Sequence, residues 1–231
     1  MLYLNPRGKS NNAVDKNIWK DTKGNYTAQL NDFHFGSANG WMTDEAGTNY
    51  LYLSSGASLN TPDFHPFGTD PSTNLGMTIE LDFEISGVLD YDVEIIKCIS
   101  LNRSNLINVG FSITGDKIRF YNSRLNGGEK GALMNLNLVE GKRIRLSFVI
   151  EPKTIQYPMC YAYLDGKLSG AVIYNSGDSY QDTSEGTPAT LQANSSNAQI
   201  KIYGIRFYNS ALSSKVVLDN YIASLPTVQD R

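Results

Sequence analysis

The sequence predicts an all-β fold, a sandwich or a barrel. Three observations carry that reading. Apolar and polar residues alternate with period 2 through most of the chain, as in MTIELDFEIS and RIRLSFVIE. The alternating runs are rich in Ile, Val, Phe and Tyr, and turn residues separate them. They recur about every 8–15 residues, a spacing that fits a sandwich or barrel and not βαβ units.

The first 45 residues stand apart. They are rich in Asn, Gly and Lys and hold both tryptophans, Trp19 and Trp41, together with His34. They read as a loop-rich entry segment folded onto the sandwich, within a single domain spanning 1–231. Strands are then expected at 51–56, 77–86, 92–101, 109–114, 116–122, 143–151, 160–166, 170–175 and 199–209. Gly115 and Gly166 sit where tight hairpins need φ > 0, in Thr114-Gly115-Asp116-Lys117 and Asp165-Gly166. Asn126-Gly127-Gly128 begins a looser link, and 175–188 reads as a long exposed loop. One short helix is expected after the last strand. Ser210 or Ser213 caps it, Val217, Tyr221 and Leu225 lie on one line, and Pro226 stops it. Such a helix is expected as a lid on a sandwich edge.

Composition excludes several functions. Charged residues make up 19% and hydrophobic ones 41%, which is globular and not disordered. The net charge is -3, with no basic stripe, so neither nucleic acid nor an anionic membrane surface is an expected partner. No apolar span approaches the roughly 20 residues of a membrane helix, and MLYLNPRGKSNN has no signal-peptide core. Cys98 and Cys160 read as two buried thiols, with a single bridge between them left open.

An ordered set of segments resembles a known family. GKSNNAVDKNIW, FHFGSANGWMTDEAGTNYLYLSSGASL, GMTIELDF, KRIRLSFVIE, YAYLDGKLSGAVIY and IYGIRFYNSALSSKVVLDNYIA resemble the concanavalin-A-like, or laminin-G-like, jelly rolls of structural proteins from phages of Gram-positive bacteria, notably tail-associated ones. The resemblance implies a jelly-roll β-sandwich of two antiparallel sheets with a short C-terminal helix. It also implies a non-enzymatic virion role, with other tail proteins and host-surface carbohydrate as partners. Such domains sit within larger proteins, so an excised domain is the expectation.

The strand TIELDFEI raises a competing function. Ile79, Leu81, Phe83 and Ile85 face one way and Glu80, Asp82 and Glu84 the other. The plain reading puts the first row in the core and the acids in water. The apolar rows of this strand and of Ile144, Leu146, Phe148 and Ile150 then supply the core, at about 1.5–3 kcal/mol for each buried side chain. A charge at Phe83 is expected to be far worse than Asp82→Asn.

The alternative rests on E-x-D-x-E, which resembles the catalytic strand of jelly-roll glycoside hydrolases of the laminarinase and lichenase type. That resemblance implies Glu80 as nucleophile and Glu84 as acid/base. Retention needs carboxyls about 5–5.5 Å apart, whereas four strand residues separate the backbones by about 13 Å. Side chains leaning together close much of that gap. The H-x-Y-x-x-x-W strand of those enzymes has no counterpart in RIRLSFVIEP, and only one of Trp19 and Trp41 is expected to reach such a cleft.

Other chemistry is poorly signposted. His34 and His65 read as turn or packing residues, since no G-x-S-x-G elbow or metal-ligand spacing accompanies them. No metal site or cofactor is expected. Calcium on the loop residues Asp63, Asp70, Asp178 and Asp182 is the alternative, although no D-x-D-x-D-G run occurs. Tyr174, Asn175 and Tyr180 suit a lectin rim and equally an inert sandwich, so the binding face is left open.

Overall fold

In the computed structural model, residues 2–54, 56–61, 75–86, 94–102, 107–114, 117–124, 133–136, 138–151, 159–173, 189–193 and 198–225 are described. The strands run β1 (Leu2–Leu4), β2 (Ile18–Lys20), β3 (Thr27–Asn31), β4 (Gly40–Thr43), β5 (Asn49–Leu53), β6 (Ser58–Asn60), β7 (Met77–Ser86) and β8 (Glu94–Asn102). They continue as β9 (Ile107–Thr114), β10 (Lys117–Arg124), β11 (Leu133–Asn135), β12 (Ile144–Ile150), β13 (Met159–Leu164), β14 (Lys167–Ile173), β15 (Ala189–Ala193) and β16 (Gln199–Tyr208). The helix α1 (Ser214–Ile222) follows.

Two antiparallel sheets result. The first has the order β14-β13-β12-β7-β16-β5-β4, with β1 also paired to β16; the second has the order β11-β10-β9-β8-β15-β6-β3-β2. Period 2 places the core rows correctly. Ile79, Leu81, Phe83 and Ile85 join Ile144, Leu146, Phe148 and Ile150 in one buried cluster with residues of the second sheet. Phe148 on β12 meets Phe111 on β9 with ring centroids 5.4 Å apart, so the sheets pack face to face. This is the all-β jelly-roll sandwich that the resemblance implied.

The entry segment does more than wrap. It supplies β1 and β4 to the first sheet and β2 and β3 to the second. Trp19 and Trp41 are both buried, edge to face, with centroids 5.1 Å apart. Their indole N–H groups donate to the carbonyls of Asn5 and Lys16, so each buried polar edge is satisfied. Neither tryptophan reaches a cleft, against the expectation for one of them. His34 lies in this segment, where its backbone N–H donates to Asn39 Oδ1.

Asp165 and Gly166 have φ of 50° and 74°, the pair of positive values that a type I′ hairpin between β13 and β14 requires. The strands β9 and β10 pair as an antiparallel hairpin from Thr114 and Lys117 outward, as expected. Gly115, Asn126-Gly127-Gly128, His65, the four loop aspartates, and Tyr174, Asn175 and Tyr180 lie outside the described residues.

Cys160 is a free, buried thiol on β13, which closes the question of a bridge to Cys98. Burial, with the charge of Glu151 nearby, pushes the Cys160 thiol far above its ordinary pKa. A thiol held protonated is a poor nucleophile. Iodoacetamide at neutral pH should therefore leave Cys160 unmodified in the native chain and alkylate it after denaturation, as read by peptide mass spectrometry.

Helix α1 follows its predicted start. Ser213 caps it and accepts from the Val216 N–H at 3.4 Å. It sits toward the β14 edge of the first sheet, as expected, and on that sheet's outer face. Only Val217 of the helix is buried, and it packs on Val149 and Tyr163, which point outward from β12 and β13. The helix thus covers part of the outer face of the first sheet, and Val216, Leu218 and Ile222 stay exposed.

Candidate functional site

The acids of TIELDFEI point away from the sandwich core, as alternation demands, yet they do not face open water. Glu80 is only 2% exposed. Strand register explains its partners. Glu80 stands opposite Arg206 on β16 and Ser147 on β12, Asp82 opposite Arg145, and Glu84 opposite Lys201. Opposite charges directly across a sheet are favourable pairs.

Each acid is held. Glu80 Oε2 accepts from Arg206 at 3.0 Å and from the Tyr208 hydroxyl at 3.1 Å. Its Oε1 accepts from the Asn220 amide at 3.1 Å and from Ser147 at 3.4 Å. Asp82 takes a two-pronged contact from Arg143, at 2.8 Å and 2.7 Å, and a third from Arg145 at 3.3 Å. Glu84 binds Lys201 at 2.7 Å and Tyr203 at 3.4 Å. Arg145 also donates to the Asn220 carbonyl at 2.8 Å, which ties α1 to the row.

A bulge makes this geometry possible. The pairing of β16 with β7 shifts between Ile202 and Gly204. Before the shift Ile200 and Ile202 are buried in the core; after it Ile205 and Phe207 are. The extra residue lets Lys201 and Tyr203, then Arg206 and Tyr208, all project on the outer side. Strand β1 pairs alongside, with Tyr3 opposite Arg206. The guanidinium of Arg206 lies 4.3 Å from the Tyr3 ring centroid, and that of Arg143 lies 3.9 Å from the Tyr203 ring. Such stacking fixes both the position and the charge of an arginine.

Electrostatics follow the packing. Burial opposes the Arg206 cation, but its hydrogen bond to Glu80 and the surrounding groups hold its pKa above the ordinary value. The hydrogen bond to Glu84 likewise raises Lys201. Burial, together with Glu80, pushes the Tyr208 hydroxyl well up, so it stays a donor throughout the neutral range.

Beside the row lies a cleft of about 440 Å³. Its floor carries Asp82, Arg143, Arg145 and Arg206; the start of the chain, the Gly47–Asn49 turn and the end of α1 close its sides. The volume falls within the range of about 300–1,000 Å³ typical of small-molecule sites.

The sequence singles out Glu80, Asp82 and Glu84 but not their surroundings. Glu80 is buried and Asp82 and Glu84 are partly buried, so the acids form a paired polar layer and not a wet face: Asn220 of α1 and the long cations of β12 and β16 cover them. The consequence for Asp82→Asn also changes, since it now breaks a bidentate contact with Arg143. A signal was present. Arg143 and Arg145, two residues apart on one predicted strand, share an outward face complementary to the acids, whereas Lys201 and Arg206, five apart, fall on opposite faces by strict alternation and share one only through the bulge. Among the described residues no group of three His, Cys, Asp or Glu is placed to hold a metal ion.

Two packed antiparallel sheets and a polar cleft on an outer face place the chain in the class of jelly-roll sandwich domains. Solved structures with this fold include the receptor-binding domain of botulinum neurotoxin type G, at 14% identity and a TM-score of 0.64 over 96% of this chain and 51% of that one. The binding domain of botulinum neurotoxin serotype D matches at 15% identity and a TM-score of 0.67, over 97% and 51%. The binding domain of botulinum neurotoxin DC in complex with SialylT matches at 15% and 0.67, over 96% and 50%. This chain therefore spans about half the length of the structures it matches. No protein-family model and no curated protein matches the sequence.

Proposed function

We propose that the chain is a non-enzymatic binding module of a phage tail or virion, contacting host-surface carbohydrate and other tail proteins. The observation that carries the binding role is the preformed polar cleft beside β7, with Arg143 and Arg206 each held by a carboxylate and a tyrosine ring. A site ordered before its ligand arrives loses less side-chain freedom on binding. The matching structures support the same class: they are receptor-binding or binding domains, one in complex with rat synaptotagmin II and one with SialylT. The virion setting rests on the ordered set of segments that resembles phage jelly rolls.

Support for a non-enzymatic reading comes from Glu80. In the glycosidase reading Glu80 is the nucleophile, which needs an accessible oxygen. Both oxygens of Glu80 are engaged, one of them by a guanidinium. The wild-type chain is expected to release no reducing ends from mixed-linkage or β-1,3-glucan. Release that disappears in Glu80→Gln or Glu84→Gln would overturn the proposal in favour of a glycosidase.

A further inference from the structure

We infer that the cleft beside β7 selects an anionic saccharide, one bearing a carboxylate or a phosphate, over its neutral counterpart. The inference rests on the binding-module reading and adds the chemical class of the ligand.

Charge is the first argument. The protein as a whole is net negative, at -3. The cleft is the reverse: Arg7, Arg143, Arg145 and Arg206 line it against the single carboxylate Asp82. Glu80, beneath it, is matched by Arg206. Asp44, in the turn next to Gly47–Asn49, also acts on Arg143, so four arginines face three carboxylates in and around the cleft: Asp82, Glu80 and Asp44. Neutralising the buried acids accounts for part of the cationic set and leaves positive charge over. A cleft with one sign of charge focuses the field on a ligand of the other sign.

Donor geometry is the second. A guanidinium has five N–H donors in a flat fork, shaped for a carboxylate or phosphate. Asp82 engages Nε and Nη2 of Arg143, and Nη1 has no protein acceptor among the described residues. Arg7 is exposed, and its guanidinium has no partner among the described residues. Arg143 and Arg7 are the donors a ligand would meet first.

The third argument separates charged from neutral sugars. Neutral sugar sites stack pyranose faces on bare aromatic rings. Here one face of Tyr3 is covered by Arg206 and one face of Tyr203 by Arg143. The rim also carries Asn5, Thr48, Asn49 and Ser224, suited to hydroxyl groups, and, among the described residues, no further aromatic ring. A concave site of this size also suits an oligosaccharide end better than a flat anionic surface.

The test is a titration of the ¹⁵N-labelled full chain at low salt. The probes are trigalacturonate, its fully methyl-esterified and uncharged form, maltotriose phosphorylated at a terminal 6-hydroxyl, and maltotriose. Trigalacturonate, the phosphorylated maltotriose or both should shift the amides of Thr48, Asn49 and Ser224 and bind at least tenfold tighter than the neutral counterpart. The one that binds identifies carboxylate or phosphate as the anion. Affinity should fall at least tenfold in Arg7→Gln/Arg143→Gln and weaken as salt rises. Arg7→Glu repeats the test without touching any ion pair, should the double variant fold poorly.

Equal binding of the charged and esterified sugars at these amides overturns the anion inference and leaves the binding module standing. Wild-type affinity in Arg7→Glu and in the double variant also overturns it. Binding of none of the probes, together with an empty array of neutral and acidic glycans, overturns both readings.

Discussion

Glu80→Ala should destabilise the chain by about 3–5 kcal/mol, the usual cost of removing one partner from a buried ion pair. The carboxylate itself is not the whole loss. Its removal leaves the Arg206 guanidinium, with 17% of its side chain exposed, without a counter-charge. It also strips acceptors from Tyr208, Asn220 and Ser147, although Asn220 and Tyr208 still bond each other at 3.2 Å. Urea unfolding monitored by tryptophan fluorescence reads the effect as a lower midpoint at similar slope. Glu80→Ala/Arg206→Ala should cost less than the sum of the two single variants, because the second change removes the stranded charge. A useful contrast is Asp219→Ala. Its partner Lys215 is one turn away on the helix surface, with side chains 55% and 81% exposed, so the change should stay within about 0.5 kcal/mol. A Glu80→Ala effect as small as that would mean the acid is solvated after all.

Phe148→Ala should cost about 3–5 kcal/mol and lower the melting temperature by on the order of 10 °C. Phe148 is fully buried and meets Phe111 across the gap between the sheets. Truncation removes apolar burial and leaves a cavity at a point where neither sheet can close in without moving its neighbours. Leu218→Ala, at a half-exposed position of α1 beside Gly166, should cost about 1 kcal/mol or less. Differential scanning calorimetry compares the two directly. Near-equal melting points would contradict the packing of β12 on β9.

Much of this fold is legible in the sequence. Long strands announce themselves: β7 and β16 each span ten residues, enough repeats of period 2 to separate a core row from an outer row. The short ones do not. Strands β1, β2, β6 and β11 have three residues each, too few for any alternation to stand out, and they exist because distant partners hold them. Leu2 and Leu4 lie in the core because β1 pairs with β16, near the other end of the chain, at Ile205, Arg206 and Phe207.

The candidate site divides the same way. Alternation in TIELDFEI determined by itself that Ile79, Leu81, Phe83 and Ile85 turn inward and that Glu80, Asp82 and Glu84 turn outward, since successive strand side chains point to opposite faces. What lies on the outward side was decided only by the tertiary structure. Asn220 reaches Glu80 from 140 residues away, and the bulge at Ile202–Gly204 brings Arg206 onto the same side as Lys201. Periodicity is a property of one strand and specifies a direction. Burial and pairing on that side are properties of whatever else the fold brings there, and here it brings a helix, a strand and the cations that turn an acidic row into the wall of a cleft.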